Sequence, residues 1–257
     1  MVESTEQFTA LVSGLEADLT LDRAALLIAA HAHPTLDVDG RLHELDQLAL
    51  GAHATDAHTL SRVLFQERGF TGNTVDYGDP RNSLFDDVLD RRLGIPITLS
   101  VLMIEVGRRL DIALHGVGMP GHFLVGTGDS FFDAFAGGVA LDPAACVDRF
   151  AQTQPREAFR AEFLAPVGPR LVVDRMLNNL QHCYLARTPS DAAWPVRLRL
   201  LLPDQPVAVR VELAGVLGRL GRFSEAAAVI DAVAAEVPDA RGEQLRQTAA
   251  RFRARAN

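Results

Sequence analysis

Two side chains able to hold or move a proton stand eleven residues apart, His122 in PGHFLVG and Asp133 in FFDAF. Each lies in an apolar, strand-like run, so a tight turn between the runs would set a carboxylate against an imidazole. A histidine oriented by an aspartate is the general-base half of a thiol-type catalytic site. The same pair also serves simply to satisfy two buried polar groups, and spacing does not separate the roles. The nucleophile would have to come from a helix expected to open at Pro96, Ile97, Thr98, Leu99 and Ser100, and no cysteine stands there. Two hydroxyls remain, Thr98 and Ser100, at positions where such groups usually cap or back-bond. A third source is Cys146, which follows Asp142 and lies far from the helix start.

The elements around these residues can be read from patterning. Gly94-Ile-Pro96 breaks the chain and puts proline at the first helical position, where its missing N–H costs nothing. Residues 96–110 are apolar nearly all round, which predicts a central buried helix. From residue 112 the period changes to two. Runs at 112–117, 122–127 and 131–135 read as strands, with a shorter one at 139–142; Gly-Asp-Ser at 128–130 and Gly137-Gly138 are turn signals. Upstream, 6–30, 40–50 and 56–68 are helical in pattern, with Thr20 or Asp22 able to cap the helix through AALLIAAHA. Residues 73–81 form a loop and 83–92 a further helix. Asn82 is placed to cap that helix, and Arg91 or Arg92 to pair with Asp86 or Asp87 one turn away. Asn82, Arg92 and His115, on the strand before His122, are candidate binding residues.

Downstream, Leu202-Pro203-Asp204 returns as Val237-Pro238-Asp239, thirty-five residues on. Helices at 208–220 and 224–236 lie between them, in the outline of a tetratricopeptide hairpin. Two imperfect units are fewer than the roughly three needed to stand alone, so they are expected to dock on the core. The fold class is therefore α+β: a helical N-terminal cluster, a small antiparallel sheet on a central helix, and C-terminal helical hairpins. The expected division is 1–167 for the core with its N-terminal helices and 168–257 for the helical subdomain.

The bulk numbers exclude several functions. The chain has 257 residues and a net charge of −8, with no basic stripe, which argues against a nucleic-acid partner. The densest basic stretch, 246–255, reads as the end of a solvated helix. Two cysteines, Cys146 and Cys183, and an N-terminus without a secretory pattern point to a reducing, cytoplasmic setting with no disulfide. No apolar run approaches the roughly 18 residues of a membrane span. No pair of histidines has metal-ligand spacing, so neither a metal nor any other cofactor is expected. A protein or peptide partner, held by the cleft or the C-terminal helices, is the remaining class.

The blocks DPRNS, VLDRRLGIPITLS, EVGRRLDI, GVGMPGHFLV and FFDAFAGG resemble the transglutaminase-like core of the SirB-type proteins, a bacterial family of regulators. LDRAALLIAAHAHPTLDV and MLNNLQHCYL extend the likeness over nearly the whole chain. The resemblance implies N-terminal helices, a papain-like core and tetratricopeptide-like helices. In active relatives a cysteine opens the central helix, a histidine follows on a strand and an aspartate on the next. By that pattern His122 and Asp133 match the histidine and aspartate, and Pro96 occupies the cysteine position. The implied function is a regulatory or binding pseudoenzyme. The alternative is a hydrolase or acyl-transferase that attacks with Ser100 or Thr98, assisted by His122 and Asp133.

Overall fold

The computed structural model describes residues 2–128, 130–237 and 240–256. Their chain falls into two compact units, 1–176 and 177–257. The first unit opens with four helices, α1 (Val2–Ser13), α2 (Leu21–Ala32), α3 (Val38–Leu50) and α4 (Ala57–Ser61), the last running on into a π-helical turn, Arg62–Glu67. The expected helical stretch 6–30 is thus two helices, broken at residues 14–20. Thr20 holds the cap position of α2, but its side chain makes no capping bond to the backbone. Asp37 and Asp56 do cap, accepting from the amides of Gly40 and Thr59.

A parallel two-residue pair, β1 (Thr71–Gly72) with β2 (Leu93–Gly94), brackets the loop and α5 (Phe85–Arg91). It delivers the chain to α6 (Pro96–Arg109), with Pro96 at its first position. Every residue from Pro96 to Gly107 is buried, so α6 is the central helix its composition predicts. An antiparallel sheet follows: β3 (His115–Val117), β4 (Leu124–Thr127), β5 (Ser130–Asp133) and β6 (Val139–Leu141). Its turn signal at 128–130 includes Asp129, which lies outside the described residues. A fifth strand, β7 (Pro166–Val167), adds to β3 and gives the order β6-β5-β4-β3-β7. Helix α6 packs on β3 and β4. On the sheet, Val117, Met119, Leu124 and Phe131 cluster with Cys146 and Phe150 of α7 (Pro143–Thr153). At roughly 1.5–3 kcal/mol per fully buried large side chain, these two contacts hold the strands that carry the site.

Helix α8 (Pro169–Arg187) runs through the boundary between the units. The second unit is entirely helical where described: α9 (Ala193–Leu200), α10 (Val207–Arg219), α11 (Phe223–Glu236) and α12 (Ala240–Ala256). Leu213, Val216 and Leu217 of α10 pack with Ala193, Val196 and Ala226. Ile230 and Val233 of α11 pack with Leu245 and Ala249 of α12. The first half of the tripeptide repeat, Leu202-Pro203-Asp204, lies in a turn, and Asp204 has a positive φ of 57°. In the second half, Pro238 and Asp239 lie outside the described residues.

Candidate functional site

Pairing of Val125 with Phe132 lays the end of β5 beside the approach to β4. Asp133 therefore leaves the sheet next to the segment that carries His122. His122 is not on a strand, as its apolar surroundings suggested. It lies two residues ahead of β4, after a turn in which Gly121 takes a φ of 72° and the His122 amide donates to Met119 O at 3.1 Å. The turn frees the imidazole from the pleat of the sheet.

His122 is 8% exposed and Asp133 is fully buried. His122 Nε2 lies 3.0 Å from Asp133 Oδ2, and Arg149 Nε lies 3.0 Å from the same oxygen. Neither contact has the alignment of a hydrogen bond, so the Arg149 contact acts through charge, and Nε2 and Oδ2 keep unused bonding capacity. The other oxygen, Oδ1, accepts from the Ala136 amide at 3.0 Å. Burial works to raise the Asp133 pKa, but His122, the Ala136 amide and Arg149 together hold it below the ordinary carboxylate value. The turn that supplies Ala136 closes with Gly137 and Gly138 at φ 76° and 74°. Ser61 Oγ donates to Gly138 O at 2.7 Å, and a Cβ on Gly138 would lie 2.2 Å from that hydroxyl. Only glycine fits there.

Two further residues hold His122. Arg175, from α8, donates to His122 O at 3.0 Å and covers the Phe123 ring at 5.2 Å. Phe135 stands edge-on to the imidazole, with centroids 6.5 Å apart, and Tyr77 stands edge-on to Phe135 at 5.8 Å. Arg149, Arg175, Phe135 and Tyr77 were all missed from sequence. Each belongs to a segment distant along the chain or to a pattern that core packing alone explains.

The start of α6 holds no nucleophile. Pro96 is buried and brings no proton donor or acceptor on its side chain. Thr98 Oγ1 accepts from the Ile95 amide at 3.1 Å and donates to Asn82 O at 2.8 Å, so its hydroxyl is committed to capping. Ser100 is fully buried, and its Oγ makes no hydrogen bond, to His122 or to anything else. Cys146 is buried in α7, and burial, with Asp142 and Asp133 nearby, pushes its thiol up to about 11. That is the opposite of an activated cysteine. Neither Cys146 nor Cys183 forms a disulfide.

The remaining candidates scatter. Asn82 does not cap α5; Leu84 holds that position. Asn82 is fully buried and ties down the loop before α5, donating to Asp76 O at 2.7 Å and accepting from Asn73 Nδ2 at 3.0 Å. A side chain that must hold a loop cannot also sit at the helix cap. Arg91 pairs with Asp79 at 3.3 Å, not with Asp86 or Asp87. Arg92 is exposed in the left-handed conformation that ends α5, beside a cavity of about 260 Å³ with Glu44, Leu48 and Arg68. His115 lines another cavity, of about 190 Å³, with Glu105 and Leu21; neither His122 nor Asp133 borders it. Burial lowers the His115 pKa.

A buried helix packed on a small antiparallel sheet, with histidine and aspartate meeting at one end of its inner strands, defines a transglutaminase-like protein, and residues 20–178 match the model of the transglutaminase-like superfamily. The chain belongs to that superfamily and, within it, to the UPF0162 family. It is 37% identical over 213 residues to a UPF0162 protein of Xylella fastidiosa, covering 75% of each chain. A UPF0162 protein of Pseudomonas aeruginosa is 33% identical over 177 residues, 65% of each chain. F-box only protein 21 of Mus musculus is 32% identical over 196 residues, which span 66% of this chain and 30% of that protein. No solved structure gives a significant match. Among the described residues no helix is long and apolar enough to cross a membrane.

Proposed function

We propose that this protein is a transglutaminase-like pseudoenzyme of the SirB type, which binds a protein or peptide in the cytoplasm and does not transfer acyl groups. The observation that carries this reading is Pro96 at the first position of α6, where active relatives place their nucleophile. Nothing beside it takes over: Thr98 Oγ1 is bonded to Asn82 O and the Ile95 amide, and the Ser100 hydroxyl has no partner to activate it. His122 and Asp133 then serve as a binding and packing pair. In this reading the second unit acts as tetratricopeptide-like hairpins that present a helical surface. The likeness to F-box only protein 21, over less than a third of its length, supports a module that works beside other segments.

The test is a panel of electrophilic probes for Ser, Thr and Cys on the purified chain, with thioester and amide turnover measured in parallel. No labelling at residues 96–100 and no turnover are expected. Turnover that Ser100→Ala or Thr98→Val abolishes would overturn the reading in favour of a relocated hydroxyl nucleophile.

A further inference from the structure

A second histidine–carboxylate cluster lies away from the His122 site. His33 follows the last residue of α2, and Asp86 and Asp87 lie in the first turn of α5, 53 and 54 residues later. One donor atom from each of the three lies within 4.8 Å of the other two. His33 Nδ1 donates to Asp86 Oδ2 at 2.6 Å, and His33 Nε2 faces Asp87 Oδ2 at 3.8 Å.

Two oxygens in this cluster have no partner. Asp86 is 5% exposed, and its Oδ1 accepts no hydrogen bond; Asp87 Oδ2, the oxygen facing Nε2, is buried and accepts none either. Two neighbouring carboxylates, one buried and one half-buried, with unsatisfied oxygens call for a positive group. Arg81 and Arg91 both pair with Asp79, at 2.8 and 3.3 Å, and among the described residues no arginine or lysine forms an ion pair with Asp86 or Asp87.

We propose that His33, Asp86 and Asp87 form a site for a borderline divalent cation of the Zn²⁺ class. Asp86 orients the imidazole. Because Nδ1 carries the proton given to Asp86, Nε2 is left as the lone-pair nitrogen, the carboxylate–histidine–metal arrangement. Nε2 and Asp87 Oδ2 are the protein ligands. Tetrahedral bonds of about 2.1 Å would set two ligands about 3.4 Å apart, so the 3.8 Å gap closes with a shift of a few tenths of an ångström. The His33 side chain is 40% exposed, so water reaches the remaining positions. The site is open on one side, and a carboxylate or phosphate of a bound molecule could complete it.

Calorimetric titration of the tag-free chain with ZnCl₂ tests this. One equivalent is expected to bind. Asp87→Asn and His33→Ala should each weaken binding at least about tenfold, and Asp86→Asn about tenfold, the usual effect of losing an orienting carboxylate. His43→Ala, at an exposed histidine, should bind like the wild type. Long-range ¹H–¹⁵N spectra of the wild type need no variant: the His33 Nε2 resonance should move on adding Zn²⁺. No stoichiometric binding, or binding that Asp87→Asn and His33→Ala leave unchanged, would overturn the site and leave ordered water as the partner of these oxygens.

Discussion

The first unit contains two histidine–carboxylate clusters, and their neighbours give them opposite characters. At His122 the carboxylate is single, fully buried and flanked by Arg149, so one fixed positive charge already faces it. At His33 a second carboxylate takes the place of the arginine. In the first cluster the carboxylate is matched by an arginine and holds the end of a strand. The second is acidic and wants a cation. Identical residue types thus yield a packing device in one place and a ligand site in the other, and the third residue decides which.

The largest way to break this contrast is Asp133→Ala. It strands His122 and Arg149 and releases the Ala136 turn. Losing one partner of a buried pair costs about 3–5 kcal/mol, and the low end is expected here, since Arg149 can turn towards water. Urea denaturation checks it. The contribution has a pH window. The Asp133 pKa is depressed in the folded state, so its stabilisation is present above the unfolded value of about 3.9 and is lost as pH falls through the folded value. The stability gap between wild type and Asp133→Ala should therefore be full at pH 6 and narrow below about pH 4. A gap that stays constant, or falls below 1 kcal/mol at pH 6, would show that Asp133 is not the hub described.

Gly138→Ala sharpens the comparison by disturbing the same turn without touching a charge. A φ of 74° and a Cβ only 2.2 Å from Ser61 Oγ predict a loss of about 2 kcal/mol. Gly137→Ala, with equally positive φ but open space around it, should lose less. Equal losses would mean that strain alone, and not the contact with Ser61, fixes the turn. The smallest effect concerns Cys146. With its thiol buried and pushed up to about 11, it should resist a disulfide reagent at pH 8 in the native protein and react at once in denaturant. Fast native labelling would reopen Cys146 as a nucleophile.

Much of this was legible in the sequence because the signals were local. Pro96 at a helix start, an apolar stretch that could only be buried, and a two-residue period after residue 112 place α6 and four of the strands. The meeting of His122 and Asp133 follows from two runs and a tight turn. Other features depend on contacts that no local pattern records. Strand β7 is two residues, one of them proline, and takes its pairing from β3. His122 sits off the strand because Gly121 bends the chain in a conformation that glycine permits but does not announce. Asn82 fits a capping pattern and is diverted by the loop folded round it. Arg149 and the His33–Asp86–Asp87 cluster join residues 16 and 53 or more positions apart.

The central claim is that α6 lacks a nucleophile while the general-base half of the site persists as an intact shell. Pro96→Cys tests it most directly. The first position of a helix is favourable for a thiolate, since the helix N-terminus carries partial positive charge. If the shell is intact, Pro96→Cys becomes reactive towards a thiol-directed probe at neutral pH, and adding His122→Ala lowers that reactivity at least about tenfold. Circular dichroism should show both variants folded. A Pro96→Cys protein that is folded but no more reactive than free cysteine, and is indifferent to His122, would contradict the account.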